Sequence, residues 1–128
     1  MITRSVRADR VIRTALWATV VLNGLGVVVF ALPALGYRSS LLPIEVPPFF
    51  AAQLGFTIAL FGGVYAWLAI QPSINRGLVV VGGLGKLGFF AITLAYAIAG
   101  EVPPGMALNA TPDLLLAAIF LWWARREF

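Results

Sequence analysis

The chain of 128 residues contains no cysteine and no histidine. These absences exclude disulfides, Cys- or His-ligated metal sites, Cys nucleophiles, Ser-His-Asp triads and CxxC redox centres, so we expect no metal or cofactor site. Charge is also scarce, because only 11% of residues are charged and 61% are hydrophobic, whereas a soluble domain carries about 25% charged residues. So few charges cannot cover a surface in water, and the mean hydropathy of +0.96 predicts one domain embedded in lipid.

Long apolar runs predict membrane-spanning helices, which need about 20 consecutive apolar residues. The first two runs contain no charged residue, the third contains only Lys86, and the fourth reaches sufficient length only if it includes Asp113. The predicted spans are 14–35, 49–70, 77–99 and 107–124, after a basic N-terminal stretch, 1–13. The sequence therefore predicts an all-α, integral membrane four-helix bundle.

The basic residues predict the orientation, because Lys and Arg in short flanking segments mark the cytoplasmic side. With the N-terminus inside, seven of the nine basic residues lie on that side, while Arg38 lies outside and Lys86 lies within a span. We therefore expect a multi-pass protein of the bacterial inner membrane with both termini cytoplasmic. Orientation explains the net charge of +4 without nucleic acid as a partner.

The stretch 1–13 carries arginines every third residue, interleaved with apolar residues. As a helix it would lie along the inner leaflet, attracted to anionic lipid. The alternative is that these arginines only fix the orientation. The apolar run that follows is longer than the 7–15 residues typical of a signal peptide, so we expect the first span to be retained.

A tetrapeptide occurs twice, as Glu45-Val46-Pro47-Pro48 and as Glu101-Val102-Pro103-Pro104. The repeat predicts two helical hairpins related by an axis along the membrane normal. The alternative is coincidence, combined with the ordinary use of proline in the first turn of a helix.

Residues with short side chains recur every four residues on the first two spans, and on the third span a cluster of glycines is followed by alanines at the same spacing, a pattern that lets helices in a membrane approach closely. The members are Ala15, Thr19 and Asn23; Gly55, Ala59 and Gly63; and Gly82, Gly83, Gly85, Gly88, Ala91, Ala95 and Ala99. These stripes either pack the helices of the bundle together or dock against a homodimer partner or a larger membrane complex.

Three polar residues are predicted to share one layer. Counting about 1.5 Å per residue from the nearest cytoplasmic arginine places Asn23, Lys86 and Asp113 roughly 15–18 Å deep, near the centre of a hydrocarbon core about 30 Å thick. Because intramembrane charges face the protein interior and pair, we predict a Lys86–Asp113 contact, direct or through one water, with Asn23 nearby.

Further polar residues lie on the outer side of this layer: Gln53, Thr57, Thr93, Tyr96 and Asn109. They are predicted to line an outward-opening cavity with the charge pair at its floor, and Gln53, Thr93 and Asn109 complete the candidate binding residues. The alternative is that these groups bond across helices and only hold the bundle together.

Three alternatives compete with a functional charge pair. Lys86 could extend toward the cytoplasmic interface instead of pairing. Thr111, Pro112 and Asp113 could cap a fourth helix that starts deep in the membrane, with 106–110 re-entrant or a loop. The pair could also be a purely structural salt bridge.

Three segments, Phe61–Ala69, Gly85–Phe90 and Pro112–Trp123, resemble small bacterial four-helix membrane proteins of the DoxX-like group. The resemblance covers most of the chain and implies architecture only.

The sequence leaves three functional hypotheses open. The first is a non-catalytic accessory module that binds a partner or lipid. The second is a transporter or channel for a small solute or ion that uses Lys86 and Asp113. The third is a membrane enzyme that acts on a lipophilic substrate, with Asp113 as base and Lys86 as electrophile. Since no catalytic constellation is present in the sequence, we name no catalytic residue and favour the first hypothesis.

Overall fold

The computed structural model describes the backbone of residues 2–126 and the side chains of residues 6–126. Over this range the chain is helical and contains no strand. The helices are α1 (Ile2–Ala34), α2 (Pro48–Ile70), α3 (Arg76–Ile98), α4 (Pro104–Asn109) and α5 (Thr111–Arg126).

Four segments of the described chain are long and apolar enough to cross a membrane: Val6–Ala34, Pro48–Ile70, Arg76–Ile98 and Pro104–Arg126. The all-α prediction is therefore confirmed, and the pattern is that of a multi-pass membrane protein. The short helix α4 and helix α5 together make up the fourth segment, which begins three residues before the predicted start of that span.

The basic N-terminal stretch is continuous with the first span in α1, whereas the expected helix along the leaflet would need a bend between the two. Helix α1 runs over 33 residues without interruption, about 50 Å at 1.5 Å per residue. No proline stands before Pro33 and no helix-breaking turn separates the stretch from the span. Ala8 and Ile12 are buried, so one face of this stretch packs within the protein.

Glycines end two of the helices. Gly36, after α1, and Gly100, after α3, have positive φ of 87° and 78°. In each case the following N–H bonds back five residues, from Tyr37 to the Leu32 carbonyl and from Glu101 to the Tyr96 carbonyl. This is the Schellman arrangement, which needs a left-handed residue that glycine provides without steric cost.

The chain forms two compact units, Leu16–Ile70 and a second composed of Met1–Ala15 and Gln71–Phe128. We call the first the hairpin unit and the second the arginine-rich unit. In the hairpin unit the end of α1 packs against α2 at glycines. A Cβ on Gly26 would lie 3.2 Å from Ile58, one on Gly62 would lie 3.3 Å from Asn23, and one on Gly55 would lie 3.7 Å from Phe30.

The packed face of α2 corrects the predicted stripe of Gly55, Ala59 and Gly63. Gly55 lies at the contact, but Ala59 is exposed and nothing lies within 4 Å of a Cβ on Gly63. Steps of four residues turn about 40° around a helix each time, whereas alternating steps of four and three stay on one face. The face that meets α1 therefore follows Gly55, Ile58 and Gly62.

In the arginine-rich unit α3 and α5 pack antiparallel. Gly83 of α3 faces Phe120 and Leu121 of α5, and Lys86, one turn further along α3, meets Asp113, two turns earlier on α5. Gly82 and Gly83 are buried, whereas Gly85, Ala91, Ala95 and Ala99 are exposed. The predicted glycine stripe of α3 thus serves internal packing at one end only.

Both copies of the repeated tetrapeptide start a helix at their second proline. Helix α2 begins at Pro48 and helix α4 at Pro104. The 23-residue length of α2 also equals that of the segment Pro104–Arg126. The helices before the two copies differ in length, and the duplication itself stays a prediction.

Candidate functional site

The predicted ion pair between α3 and α5 is present as a direct contact. The Nζ atom of Lys86 donates a hydrogen bond to Oδ1 of Asp113 over 2.8 Å. The Lys86 side chain is 6% exposed and that of Asp113 is 18% exposed. A charge-assisted bond of this length between side chains so little exposed joins the two helices at one defined register.

Small residues of α3 position Lys86. Val79, Gly82, Gly83 and Lys86 are the buried residues of this helix, and their spacing of three to four places them on one face. A Cβ on Gly83 would lie 3.0 Å from the Leu121 side chain and 3.2 Å from Phe120. The missing side chain therefore lets α5 approach closely, which brings its N-terminal turn within reach of Lys86.

Proline positions Asp113 at the start of α5. Pro112 has no N–H to donate to the carbonyl four residues earlier, and its ring disfavours a continuing helix. The helix accordingly stops at Asn109 and resumes at Thr111, and the Asp113 N–H bonds to the Ala110 carbonyl three residues back. Asp113 thus lies in the first turn of α5, where the helix dipole favours an anion.

The alternative in which Thr111, Pro112 and Asp113 open the fourth helix agrees in part with the structure, because α5 begins at Thr111, but two details differ. Thr111 Oγ1 donates to the Ala107 carbonyl over 3.4 Å, so it bonds backward along the chain. The preceding stretch is the short helix α4 with a turn at Ala110, where we expected a re-entrant segment or loop. The reason is that Pro104 opens a helix turn that Pro112 then interrupts.

The Lys86 side chain is directed to Asp113, so in this structure it does not extend toward the cytoplasmic interface instead of pairing. The structural-salt-bridge alternative and the functional one both remain compatible with the contact, because both require it.

Asn23 lies in the hairpin unit and bonds there. Its Nδ2 donates to the Ile58 carbonyl of α2 over 2.9 Å. Gly62 makes this contact possible, since its missing side chain leaves room for Asn23 beside the α2 backbone. The expected proximity of Asn23 to the Lys86–Asp113 pair involves both units and stays a prediction.

The other candidate binding residues occupy different settings within their own units. Gln53 is exposed on α2, and its carbonyl accepts a bond from Thr57 Oγ1 over 2.9 Å. Thr93 is half-buried and donates to the Phe89 carbonyl over 2.8 Å, while Asn109 is exposed on α4. An outward-opening cavity lined by these groups also stays a prediction.

Sequence reasoning missed two polar groups near the other end of the arginine-rich unit. Arg13 Nη2 donates to the Pro72 carbonyl over 3.2 Å, which ties α1 to the segment before α3. The Trp123 indole N–H is buried and has no hydrogen-bond partner among the residues described. The other three tryptophans, Trp17, Trp67 and Trp122, are exposed.

The side-chain chemistry of the described residues is limited. Between residues 6 and 126 no group of three or more Asp, Glu, His or Cys side chains comes together as a metal site. What the Lys86–Asp113 pair can do is hold two helices together, or exchange one charge partner for another.

No family model matches the chain, and no curated protein or solved structure is significantly similar to it. The resemblance to the DoxX-like group therefore stays a prediction.

Proposed function

We propose that the protein is a non-catalytic membrane module that binds a partner helix or lipid through its spans, with the Lys86–Asp113 pair as a structural connection. The polar groups within the spans support this proposal, because several are engaged inside the chain. Lys86 bonds to Asp113, Asn23 to the Ile58 carbonyl, and Thr93 to the carbonyl of its own helix.

The apolar surface of the helices supports the binding role. Between 17% and 22% of each candidate span's most apolar window is buried within the chain. The remaining side chains need lipid or another protein around them. On α3 the small residues Ala91 and Ala95 are among the exposed ones, and such residues permit close helix–helix approach in a membrane.

The observation that carries the proposal is the direct 2.8 Å contact between the Lys86 and Asp113 side chains. Removing one partner of a buried ion pair leaves an uncompensated charge, which costs about 3–5 kcal/mol, whereas replacing both partners is often neutral. A pair that holds α3 against α5 therefore predicts strong coupling between the two positions in the free energy of unfolding.

The experiment is a double-mutant cycle of Lys86→Met and Asp113→Asn. Each single variant should lower the free energy of unfolding in detergent micelles by about 3 kcal/mol, and the double variant should recover most of this loss. Thr93→Val, which removes a bond within one helix, is the matched control and should change stability by less than about 1 kcal/mol. If both single variants unfold like the parent, the structural role is wrong.

A transporter or channel is the second candidate, favoured by the interruption of the fourth span at Ala110, beside Asp113. Discontinuous helices in membranes commonly form the binding sites of transporters. The folded double variant separates the candidates in proteoliposomes. If the parent conducts a small ion and the double variant does not, the protein is a transporter or channel and the module proposal is wrong. If neither conducts, the result agrees with the module proposal.

We also propose that the protein lies in a bacterial inner membrane with both termini in the cytoplasm. The distribution of arginines supports this orientation, since Lys and Arg of short segments favour the cytoplasmic side.

A further inference from the structure

One end of the arginine-rich unit collects arginines from two helices. Helix α3 begins at Arg76, and helix α5 ends with Arg125 and Arg126. Because Gly83 faces Phe120 and Leu121 across an antiparallel contact, the start of α3 lies level with the end of α5. The backbones of the three arginines therefore lie at the same end of the unit.

Helix α1 adds further arginines to this end. Arg13 is bonded to the Pro72 carbonyl, four residues before Arg76. Arg10 and Arg7 lie one and two turns earlier on α1 and are exposed, while the face with Ala8 is buried. We call the set of Arg7, Arg10, Arg13, Arg76, Arg125 and Arg126 the basic end.

Opposing charge at the basic end is small. On the part of α1 that carries these arginines, the acidic residue among the described side chains is Asp9, which is half-buried. In the sequence, Arg4 and Glu127 add one charge of each sign, outside the described side chains. The opposite end of the same unit carries Glu101, in the turn after α3.

An exposed tryptophan lies beside one arginine of the basic end. Trp122 is 41% exposed, and the Arg126 guanidinium lies 4.8 Å from the centroid of its ring. Tryptophan prefers the headgroup level of a bilayer, so the stacked arginine is held at the depth of lipid phosphates. Arginine also matches phosphate better than lysine does, since its planar fork donates two parallel hydrogen bonds.

We infer that the basic end binds the headgroups of anionic phospholipids through their phosphates. The inference deepens the proposed function, on which it rests, by naming the chemistry of the lipid. Zwitterionic headgroups carry a phosphate too, but their own cation competes with arginine for it. The basic end therefore distinguishes lipids by net charge.

The experiment measures lipid binding to the purified full-length chain by native mass spectrometry and by thermal stabilisation in a neutral detergent. Dioleoyl phosphatidylglycerol should bind at least about tenfold more tightly than dioleoyl phosphatidylcholine. The preference should weaken as salt is raised, because screening shortens the reach of exposed charges. Equal binding of the two lipids would overturn the inference.

Two sets of variants locate the site. Combined replacement Arg10→Gln, Arg125→Gln and Arg126→Gln should lower phosphatidylglycerol binding about tenfold or more. Arg38→Gln, an exposed arginine after α1, is the matched control and should bind like the parent. The combined replacement of the same three arginines by lysine keeps the charge and the orientation signal, and should retain most of the binding even where the glutamine variant folds poorly. Unchanged binding in the folded glutamine variant, or an equal loss in Arg38→Gln, would overturn the assignment.

A control with inorganic phosphate distinguishes a lipid-binding site from a site for a soluble anion. Phosphate at millimolar concentration should not displace phosphatidylglycerol or stabilise the chain; if it does both, the site is one for free phosphate and the lipid assignment is wrong. Lys86 and Asp113 are intact in all these variants. If the parent chain shows no preference for phosphatidylglycerol while its Lys86–Asp113 coupling is normal, this inference is overturned and the proposed function stands.

Discussion

At the scale of single residues, a missing side chain decides where two helices meet. Gly83 lies against Phe120 and Leu121 of α5, with 3.0–3.2 Å between its would-be Cβ and their side-chain atoms. Gly85, two residues further along α3, has nothing within 4 Å of the same position. Although both glycines belong to one predicted stripe, only Gly83 holds Lys86 within bonding distance of Asp113.

Gly83→Val should lower the free energy of unfolding by about 1–3 kcal/mol, because the added branched side chain overfills a close contact. Thermal or chemical unfolding in micelles measures this loss. Gly85→Val is the matched control and should change stability by less than about 0.5 kcal/mol. Equal effects at both positions would contradict the packing described for α3 and α5.

Some of these contacts between residues can be predicted from the sequence. Depth counted from arginines, together with the cost of a lone intramembrane charge, suffices to predict the Lys86–Asp113 contact. The same reasoning cannot predict the partner of Asn23, because that partner is the Ile58 carbonyl. Every residue has a carbonyl, so which one accepts depends on the gap at Gly62 and hence on helix register.

At the scale of elements, proline at two different positions has opposite effects. Pro48 and Pro104 open helices, where an N–H would lack a partner in any case. Pro112 stands where the chain would otherwise continue as one helix, and the interruption at Ala110 results. The equivalent position in the repeat, Phe56, lies in the unbroken helix α2.

Pro112→Ala should join α4 and α5, since residue 112 would gain an N–H for the carbonyl four residues earlier. Amide hydrogen exchange measured by NMR in micelles should show stronger protection at residues 110–113. Pro48→Ala, at the first position of α2, is the control and should leave protection in that helix unchanged. If protection at residues 110–113 stays at the parental level, the proline is not the cause of the interruption.

The element scale also shows where sequence patterns mislead. Small residues at four-residue intervals predicted one packing face on α2, but the face that meets α1 alternates steps of four and three. The choice between these faces depends on the crossing angle of two helices, which a single helix does not encode. The bounds of α2 and α3 lie within one residue of the predicted spans 49–70 and 77–99, because charged residues limit the apolar runs directly in the sequence.

At the scale of the whole molecule, the charges are unevenly distributed along the chain. Arginines lie in the first part of α1, at the start of α3 and at the end of α5, whereas the segments after α1 and α3 together carry Arg38, Glu45 and Glu101. The proposed orientation follows from this imbalance, and the absence of native cysteine makes it directly testable.

Single-cysteine variants should report opposite sides of the membrane. Ser40→Cys, in the segment after α1, should react with a membrane-impermeant maleimide added to intact cells, because the proposed orientation places it outside. Ser73→Cys, in the segment before α3, should react only after the membrane is permeabilised. Both serines are exposed, so accessibility differs only by side. Labelling of both variants in intact cells, or of Ser73→Cys alone, would contradict the orientation.

The order of the ion pair along the chain has a consequence for biogenesis. Lys86 precedes Asp113 by 27 residues, so during synthesis the third helix emerges from the ribosome while its counter-ion is still to follow. Until α5 arrives, the ammonium group must be tolerated by the insertion machinery or remain near the interface. The ammonium group therefore gains its counter-ion only once α5 has been made, and a chain truncated before Asp113 would leave it without one.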